Sequence, residues 1–321
     1  MSALLPVPDN GRAGEARGEP ADAKAAIVDF LTPFSIETTP QEAARIPSYT
    51  DHLAPGTTVY VAHPPRTSFA QNLALTERLQ GEGFKAVPHL PVRALIGQRE
   101  LDERLRRWCD LGVDQMLLIA GDLPRPLGPF HATIQALETG LFERYGMRKI
   151  GLAGHPEGHP AVSRPRLRGA LLAKLIHARQ SKIDFYLVTQ FGFEARTIIA
   201  WADEIRALGN DLPIHVGIPG PTSIKALLRY ALACGVGPSS RMLTKQPRRL
   251  ARLASAYTPD EQIAVLARHR AGTPEGATMR AHFFSFGGVV RTAAWLEAIR
   301  AGAFTMKPTA KGFAVTPEMT S

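Results

Sequence analysis

A chain of 321 residues with 45% apolar and 21% charged side chains has the composition of one large globular core. Two cysteines, Cys109 and Cys234, are too few for a disulfide framework or a cysteine-based metal site, and each lies in an apolar helical stretch that suits a buried free thiol. The formal charge of +9 is spread along the chain without zinc spacings or an RNP-type aromatic motif, which argues for an anionic small ligand rather than nucleic acid.

Residues 1–24 are rich in Ala, Gly, Pro and charge, carry no apolar period, and are expected to form a flexible tail; residues 305–321 read the same way. Nothing resembles an apolar leader, and no run of roughly 18 apolar residues follows, so neither secretion nor a membrane span is expected and the cytoplasm is the default. Between the tails, residues 25–304 alternate short apolar runs with helical patterns. The runs begin with Phe34-Ser-Ile-Glu37, Thr58-Val-Tyr-Val-Ala62, Lys85-Ala-Val-Pro-His-Leu90 and Gln115-Met-Leu-Leu-Ile-Ala120. They continue with Lys149-Ile-Gly-Leu-Ala153, Asp184-Phe-Tyr-Leu-Val-Thr-Gln190, Pro213-Ile-His-Val-Gly217 and Ala281-His-Phe-Phe-Ser-Phe286. They are continuous rather than alternating, as strands buried on both faces should be.

Helical stripes lie between them: Leu101, Leu105 and Trp108; then Ile198, Trp201, Ile205 and Leu208; then Ile224, Leu227, Leu228 and Leu232. Eight strands, each followed by a helix, predict a single-domain α/β protein, a (β/α)8 TIM barrel. The long interval from Gly217 to Ala281 predicts extra helices before the last strand. An open doubly wound sheet is the alternative, but its early glycine-rich phosphate turn is missing.

In such a barrel, chemistry gathers at the C-terminal strand ends. Those ends here are Glu37, His63, His89, Asp122, His155 and Gln190. A carboxyl at an apolar mouth loses water, which raises its pKa and suits Glu37 or Asp122 to general acid work. For Asp122 the competing reading is a helix cap or turn residue before Pro124. His155-Pro-Glu-Gly-His159 spaces two histidines like a helical zinc motif, but Pro156 and Gly158 break a helix there, so no metal is expected.

The ordered set Phe34-Ser-Ile-Glu37-Thr-Thr-Pro40, Pro88-His89-Leu90, Gly121-Asp122-Leu123-Pro124, Ala153-Gly-His-Pro-Glu-Gly-His-Pro160, Thr189-Gln190-Phe191-Gly-Phe193 and Gly217-Ile218-Pro219 resembles the methylenetetrahydrofolate reductase family over about residues 30–300. The resemblance implies a barrel that reduces 5,10-methylenetetrahydrofolate to 5-methyltetrahydrofolate, with FAD passing on hydride from NADH or NADPH. It implies that Glu37 is the acid in ring opening and that Asp122 lies beside flavin and pterin. Gln190, Phe193 and Ile224 would meet the folate, and Gln190 could instead meet the nicotinamide. Tyr60, His89, His155 and His159 would line the cofactor, and Lys174 or Arg179 would take its phosphates.

The departures from the family pattern cluster on the flavin. Ala120 stands where the family has the phosphate-binding Arg. His155 replaces a Tyr, and Leu172 and Leu175 stand on the helix that should offer Asp and Asn. On the folate side, Gly288 replaces an Arg, with Arg291 nearby. FAD is therefore expected to bind weakly or not at all, with NAD(P)H in its place. Arg164, Arg166, Arg168, Lys174 and Arg179 would draw in the anionic ligands. Two other functions remain open: a folate-binding barrel linked to methyl transfer or demethylation, and a non-catalytic basic binding protein. Oligomeric state and the choice between NADH and NADPH are not legible.

Overall fold

The structure is a computed structural model and describes residues 20–233, 256–274, 276–308 and 311–316. Eight parallel strands close into a barrel. In chain order they are β1 (Ser35–Thr38), β2 (Thr58–Val61), β3 (Lys85–Pro91), β4 (Gln115–Ile119), β5 (Lys149–Gly154), β6 (Asp184–Thr189), β7 (Ile214–Pro219) and β10 (Met279–Phe284). Each neighbour pair is parallel, and closure comes from β1 pairing with β10, where Ser35 faces His282. The expected (β/α)8 fold is what forms, with every strand within two residues of the run that foretold it.

The helices α1 (Pro20–Phe30), α2 (Pro40–Ala43), α3 (Phe69–Gly81), α4 (Gln98–Asp110), α5 (Thr133–Leu137), α6 (Leu141–Arg144), α7 (Arg164–Gln180), α8 (Ala195–Ala207) and α9 (Ile224–Ala233) follow in order. After them come α10 (Asp260–Gly272) and α11 (Val289–Arg300). Among the described residues, α9 and α10 lie between β7 and the last barrel strand, one helix more than a single β/α unit needs. Thr222–Ser223 (β8) and Ala256–Tyr257 (β9) form a small antiparallel pair beside the barrel.

Two apolar layers follow from closure. The larger lies between strands and helices, where the α4 stripe of Leu101, Leu105 and Trp108 is buried as expected. The smaller fills the barrel interior with Tyr60, Val87, Leu117, Tyr186 and Val188. Its two tyrosine hydroxyls bond at 2.8 Å, and Gln115 donates to Tyr186 at 2.9 Å, so these polar tips are satisfied without water. Residue 151 must be glycine, because a Cβ there would stand 2.8 Å from the Tyr186 ring. The α9 stripe is less regular: Leu227 is buried while Leu232 faces outward.

Both tail expectations need correction within the described residues. Helix α1 begins at Pro20, ahead of the expected boundary at 24, because the alanine-rich segment carries Ile27, Phe30 and Leu31 into the core. The segment after 304 is not simply a tail. Phe304–Met306 (β11) pairs antiparallel with Phe313–Val315 (β12), and Phe313 stacks on Trp295 at 5.9 Å. Residues 1–19, 309–310 and 317–321 of those tails lie outside the described residues, as does Cys234. Cys109 is a half-buried free thiol whose pKa is raised by burial.

Buried Asp260 at the start of α10 clasps this hairpin. It accepts from Thr258 at 2.7 Å, from the Lys307 ammonium at 2.5 Å and from the Phe313 amide at 3.3 Å. Asp260→Ala is expected to lower stability by about 1–3 kcal/mol, the range for bonds to a charged acceptor. Lys307→Ala should cost less, because Lys307 is 41% exposed and its pair is partly screened. Urea unfolding of the two variants checks the order.

Candidate active site

Two polar groups of residues gather toward the C-terminal side of the barrel, one on its axis and one beside it. On the axis, β1 presents Glu37, β3 presents His89 and β10 presents His282. The Nε2 of His282 lies 3.2 Å from Glu37 Oε1, and the Nε2 of His89 lies 3.3 Å from the same oxygen. The His89 contact is off the line of a hydrogen bond. On its other side, His282 Nδ1 bonds Ser35 Oγ at 2.9 Å. The Tyr60 ring packs on His282 at 4.4 Å from below. Glu37 is thus an acid on one strand, held by imidazoles from two others and floored by an aromatic ring.

The electrostatics reverse one expectation. Burial by itself does raise the Glu37 carboxyl, but the charge of His89 and the hydrogen bond and charge of His282 outweigh it and hold the group down to about 2. Sequence reasoning saw the desolvation and missed the second imidazole. His282 lies in the middle of its strand rather than at the end, so a survey of strand ends passes over it. The available signal was alternation: Arg280, His282 and Phe284 share one face of β10, opposite buried Met279, Ala281 and Phe283.

A second carboxylate, Glu42 of α2, ties the loop after β1 to the loop after β10. It accepts from the Val289 amide at 2.5 Å and from Ser285 Oγ at 3.4 Å. Ser285 also donates to the Glu37 carbonyl at 2.5 Å. Burial raises the Glu42 carboxyl. These bonds fix the backbone from which the Glu37 side chain projects.

Beside the axis lies a cavity of about 810 Å³ whose wall includes Asp122, His155, His159, Arg166 and Lys174. Asp122 is exposed on its rim rather than desolvated. The preceding Gly121 turns with φ +87° and passes so close to Pro91 that a Cβ would meet it at 2.9 Å. His155 and His159 meet edge to face at 5.7 Å. Burial, Lys174 and His159 hold His155 down to about 4. Among the described residues no group of three ligands could hold a metal ion. His63, at the end of β2, is likewise held down to about 4, by burial, Arg104 and His89.

Other expected positions fall elsewhere. Gln190 follows β6, its backbone N–H donating to the Gly154 carbonyl at 2.9 Å, and it does not line the cavity. Phe193 joins an aromatic patch with Phe191, Phe284, Phe286 and Tyr230, in which Tyr230 and Phe286 stack at 4.3 Å. Ile224 opens α9, half-buried. Tyr60 does not reach the cavity wall; it is fully buried under His282, because its hydroxyl is drawn inward to Tyr186. Arg179 does not line the cavity either, because its guanidinium donates to the Gly209 carbonyl at the far end of α7.

The cavity's cations fit the phosphates of a dinucleotide. Arg164, Arg166, Arg168 and Lys174 line it, whereas Arg93 already donates to the carbonyls of His131 and Leu123 at 3.1 Å each. Ala120 lies on the wall without a charge, and α7 shows Leu167 and Leu171 to the space. That face satisfies phosphates better than a chain of sugar hydroxyls.

Comparison with known proteins identifies the family. A stretch of 141 residues, 41% of this chain, is 30% identical to methylenetetrahydrofolate reductase 2 of Saccharomyces cerevisiae and covers 23% of that protein. A stretch of 163 residues, 50% of the chain, is 27% identical to 5,10-methylenetetrahydrofolate reductase of Pectobacterium carotovorum and covers 52% of it. The matches therefore span about a quarter and about half of these relatives. The family model described as methylenetetrahydrofolate reductase matches residues 65–248, more than half of the chain. With that match, the barrel and the ordered strand-end motifs, the chain belongs to the methylenetetrahydrofolate reductase family.

Proposed function

We propose that the chain reduces 5,10-methylenetetrahydrofolate to 5-methyltetrahydrofolate with NAD(P)H and without a resident flavin. The observation that carries the reading is the Glu37 carboxylate, buried at the barrel mouth and bracketed by the imidazoles of His89 and His282. Opening the folate's five-membered ring requires a proton on nitrogen, and this cluster is the proton-handling unit of the mouth. Glu37 is ionised at rest. Its proton comes from a neighbouring imidazolium, which gives up the Nε2 proton and is left as the neutral ring, with Ser35 steadying the Nδ1 side of His282. A ligand seated over the mouth deepens the burial of Glu37, and burial is the one influence that lifts its pKa.

The nicotinamide dinucleotide, as co-substrate, supplies the hydride. Residues of the chain bind and orient it: Lys174 and the α7 arginines at the phosphates, and Asp122 and Gln190 near the reacting rings. The aromatic patch of Phe193, Phe286 and Tyr230 offers the flat parts of the folate a stacking wall. Of the positions where the family pattern puts groups on a flavin, Ala120 lies on this wall, whereas Leu172 and Leu175 point away from it and leave the space to Leu167 and Leu171. Each hydroxyl left unpaired there would cost roughly 1–3 kcal/mol.

Glu37→Gln is expected to cut turnover by about 10²–10⁴-fold, the usual contribution of a general acid, with folate affinity changed only a few-fold. Steady-state kinetics beside a direct folate titration check this, and a variant keeping half its turnover would remove Glu37 from the chemistry. The lowered carboxyl carries a second expectation. A group whose pKa drops on folding stabilises the fold above its ordinary value of 4.5, and that stabilisation fades as pH falls toward 2. Glu37→Gln should flatten this acid-side slope, and His282→Phe should move the carboxyl upward, read by the infrared carboxylate band. For the hydride path, protein purified without added flavin should show no flavin absorbance and still oxidise NADPH or NADH when methylenetetrahydrofolate is present. Stoichiometric bound flavin, or activity only after FAD is added, would return the chain to a flavin route.

A further inference from the structure

The cavity does not stop at the barrel mouth. It runs outward as a groove between α7 and α8, with the end of β5 as its floor. Leu171 and Lys174 form one side, and Trp201, Glu204 and Ile205 form the other. The Trp201 ring reaches the floor only because residue 154 is glycine; a Cβ there would stand 2.7 Å from it. Beyond the groove, Arg179 bonds the Gly209 carbonyl and so joins α7 to the turn after α8.

Lys174 is the unusual group. Its side chain is 8% exposed, and its ammonium donates to the Ala153 carbonyl at 3.1 Å. Among the described residues no carboxylate pairs with it, and burial holds it down to about 8. A desolvated cation beside an open space is stabilised by an anion that enters that space. Next to it is an aromatic ring with apolar neighbours, and on the rim is an exposed carboxylate, Glu204. A flat base, a phosphate and a vicinal pair of hydroxyls match these three features in turn.

We propose that the groove between α7 and α8 is an adenine-nucleotide subsite, with the base against Trp201, the phosphate at Lys174 and the ribose diol at Glu204. The subsite builds on the reading of the cavity as a dinucleotide site but does not depend on folate chemistry. It extends that reading to a preference. A carboxylate accepts from two ribose hydroxyls and repels a 2′-phosphate, so the groove favours NADH over NADPH. The arginines at the start of α7 stand near the mouth, one to three turns before Lys174 on the same helix, and are left for the inner phosphate.

The test uses intrinsic fluorescence with 5′-AMP as the probe. Of the three tryptophans, Trp108 and Trp295 are buried at 1% and 3% exposure, so a change on adding AMP reports Trp201. AMP should change the emission saturably, and Trp201→Phe should abolish the signal. Calorimetry should show adenosine and the Lys174→Met variant each weakening binding by about tenfold or more. The 2′,5′-bisphosphate of adenosine should bind more weakly than AMP, and Glu204→Gln should narrow that gap. Lys174→Arg, which keeps the charge, guards against a simple folding defect and should retain AMP. Three results would overturn the subsite: no saturable response to AMP, an equal response to inorganic phosphate, or tighter binding of the 2′,5′-bisphosphate. Because the assay contains neither folate nor hydride donor, failure of the reductase reading leaves AMP binding standing. Loss of AMP binding in an active protein would sink the groove alone.

Discussion

A carboxylate can sit inside the mouth of a closed barrel only if something there replaces the water it has lost. For Glu37 that replacement comes from two imidazoles on other strands, and the arrangement of the mouth follows from it. His282 must be aimed, so Ser35 holds its far nitrogen and Tyr60 supports its face. Tyr60 is itself fixed by Tyr186, and Tyr186 finds room because Gly151 has no side chain. The interior packing of the barrel is therefore also the mounting of its acid.

Much of this was legible in the sequence. All eight strands stood out as continuous apolar runs because both of their faces are buried, one against helices and one against the barrel interior. Strand-end polar residues located Glu37, His89, Asp122 and His155 for the same geometric reason. What stayed hidden was whatever depends on closure. The approach of His282 to Glu37 spans 245 residues and rests on the register of the last strand against the first, which no local pattern encodes. The sign of the Glu37 shift is hidden along with it, since desolvation is visible in the neighbours of a residue and a distant partner is not. Tyr60 and Arg179 were misplaced for a related reason. Side-chain direction within the barrel, and a bond from a helix end to the next turn, are tertiary facts. The hairpin after residue 303 is hard to read because its strands have three residues each, and the apolar run that holds its anchor, Phe313-Ala-Val315, is too short to show a period.

The basic character of the chain also resolves into local functions. Some arginines are structural, such as Arg93 on loop carbonyls and Arg104 lying over the Phe69 ring at 4.8 Å. Others, on the first turns of α7, stay in water at the edge of a cavity. Among the described residues, Lys174 is the buried one of the cavity's cations. The same charge thus shapes a surface in one place and creates a demand for an anion in another.

Pairing of β1 with β10 has a consequence for how the protein comes into being. Ser35 meets His282 only after nearly the whole barrel has been laid down, so the contact that closes the sheet is also the one that brings the acid to its imidazole. Contacts between residues so far apart in the chain are slow to find one another. During synthesis a nascent chain holds β1, with Glu37 on an open edge, until the last strand emerges. A partly built barrel consequently lacks the acid–imidazole pair, which forms in the same step as topological completion.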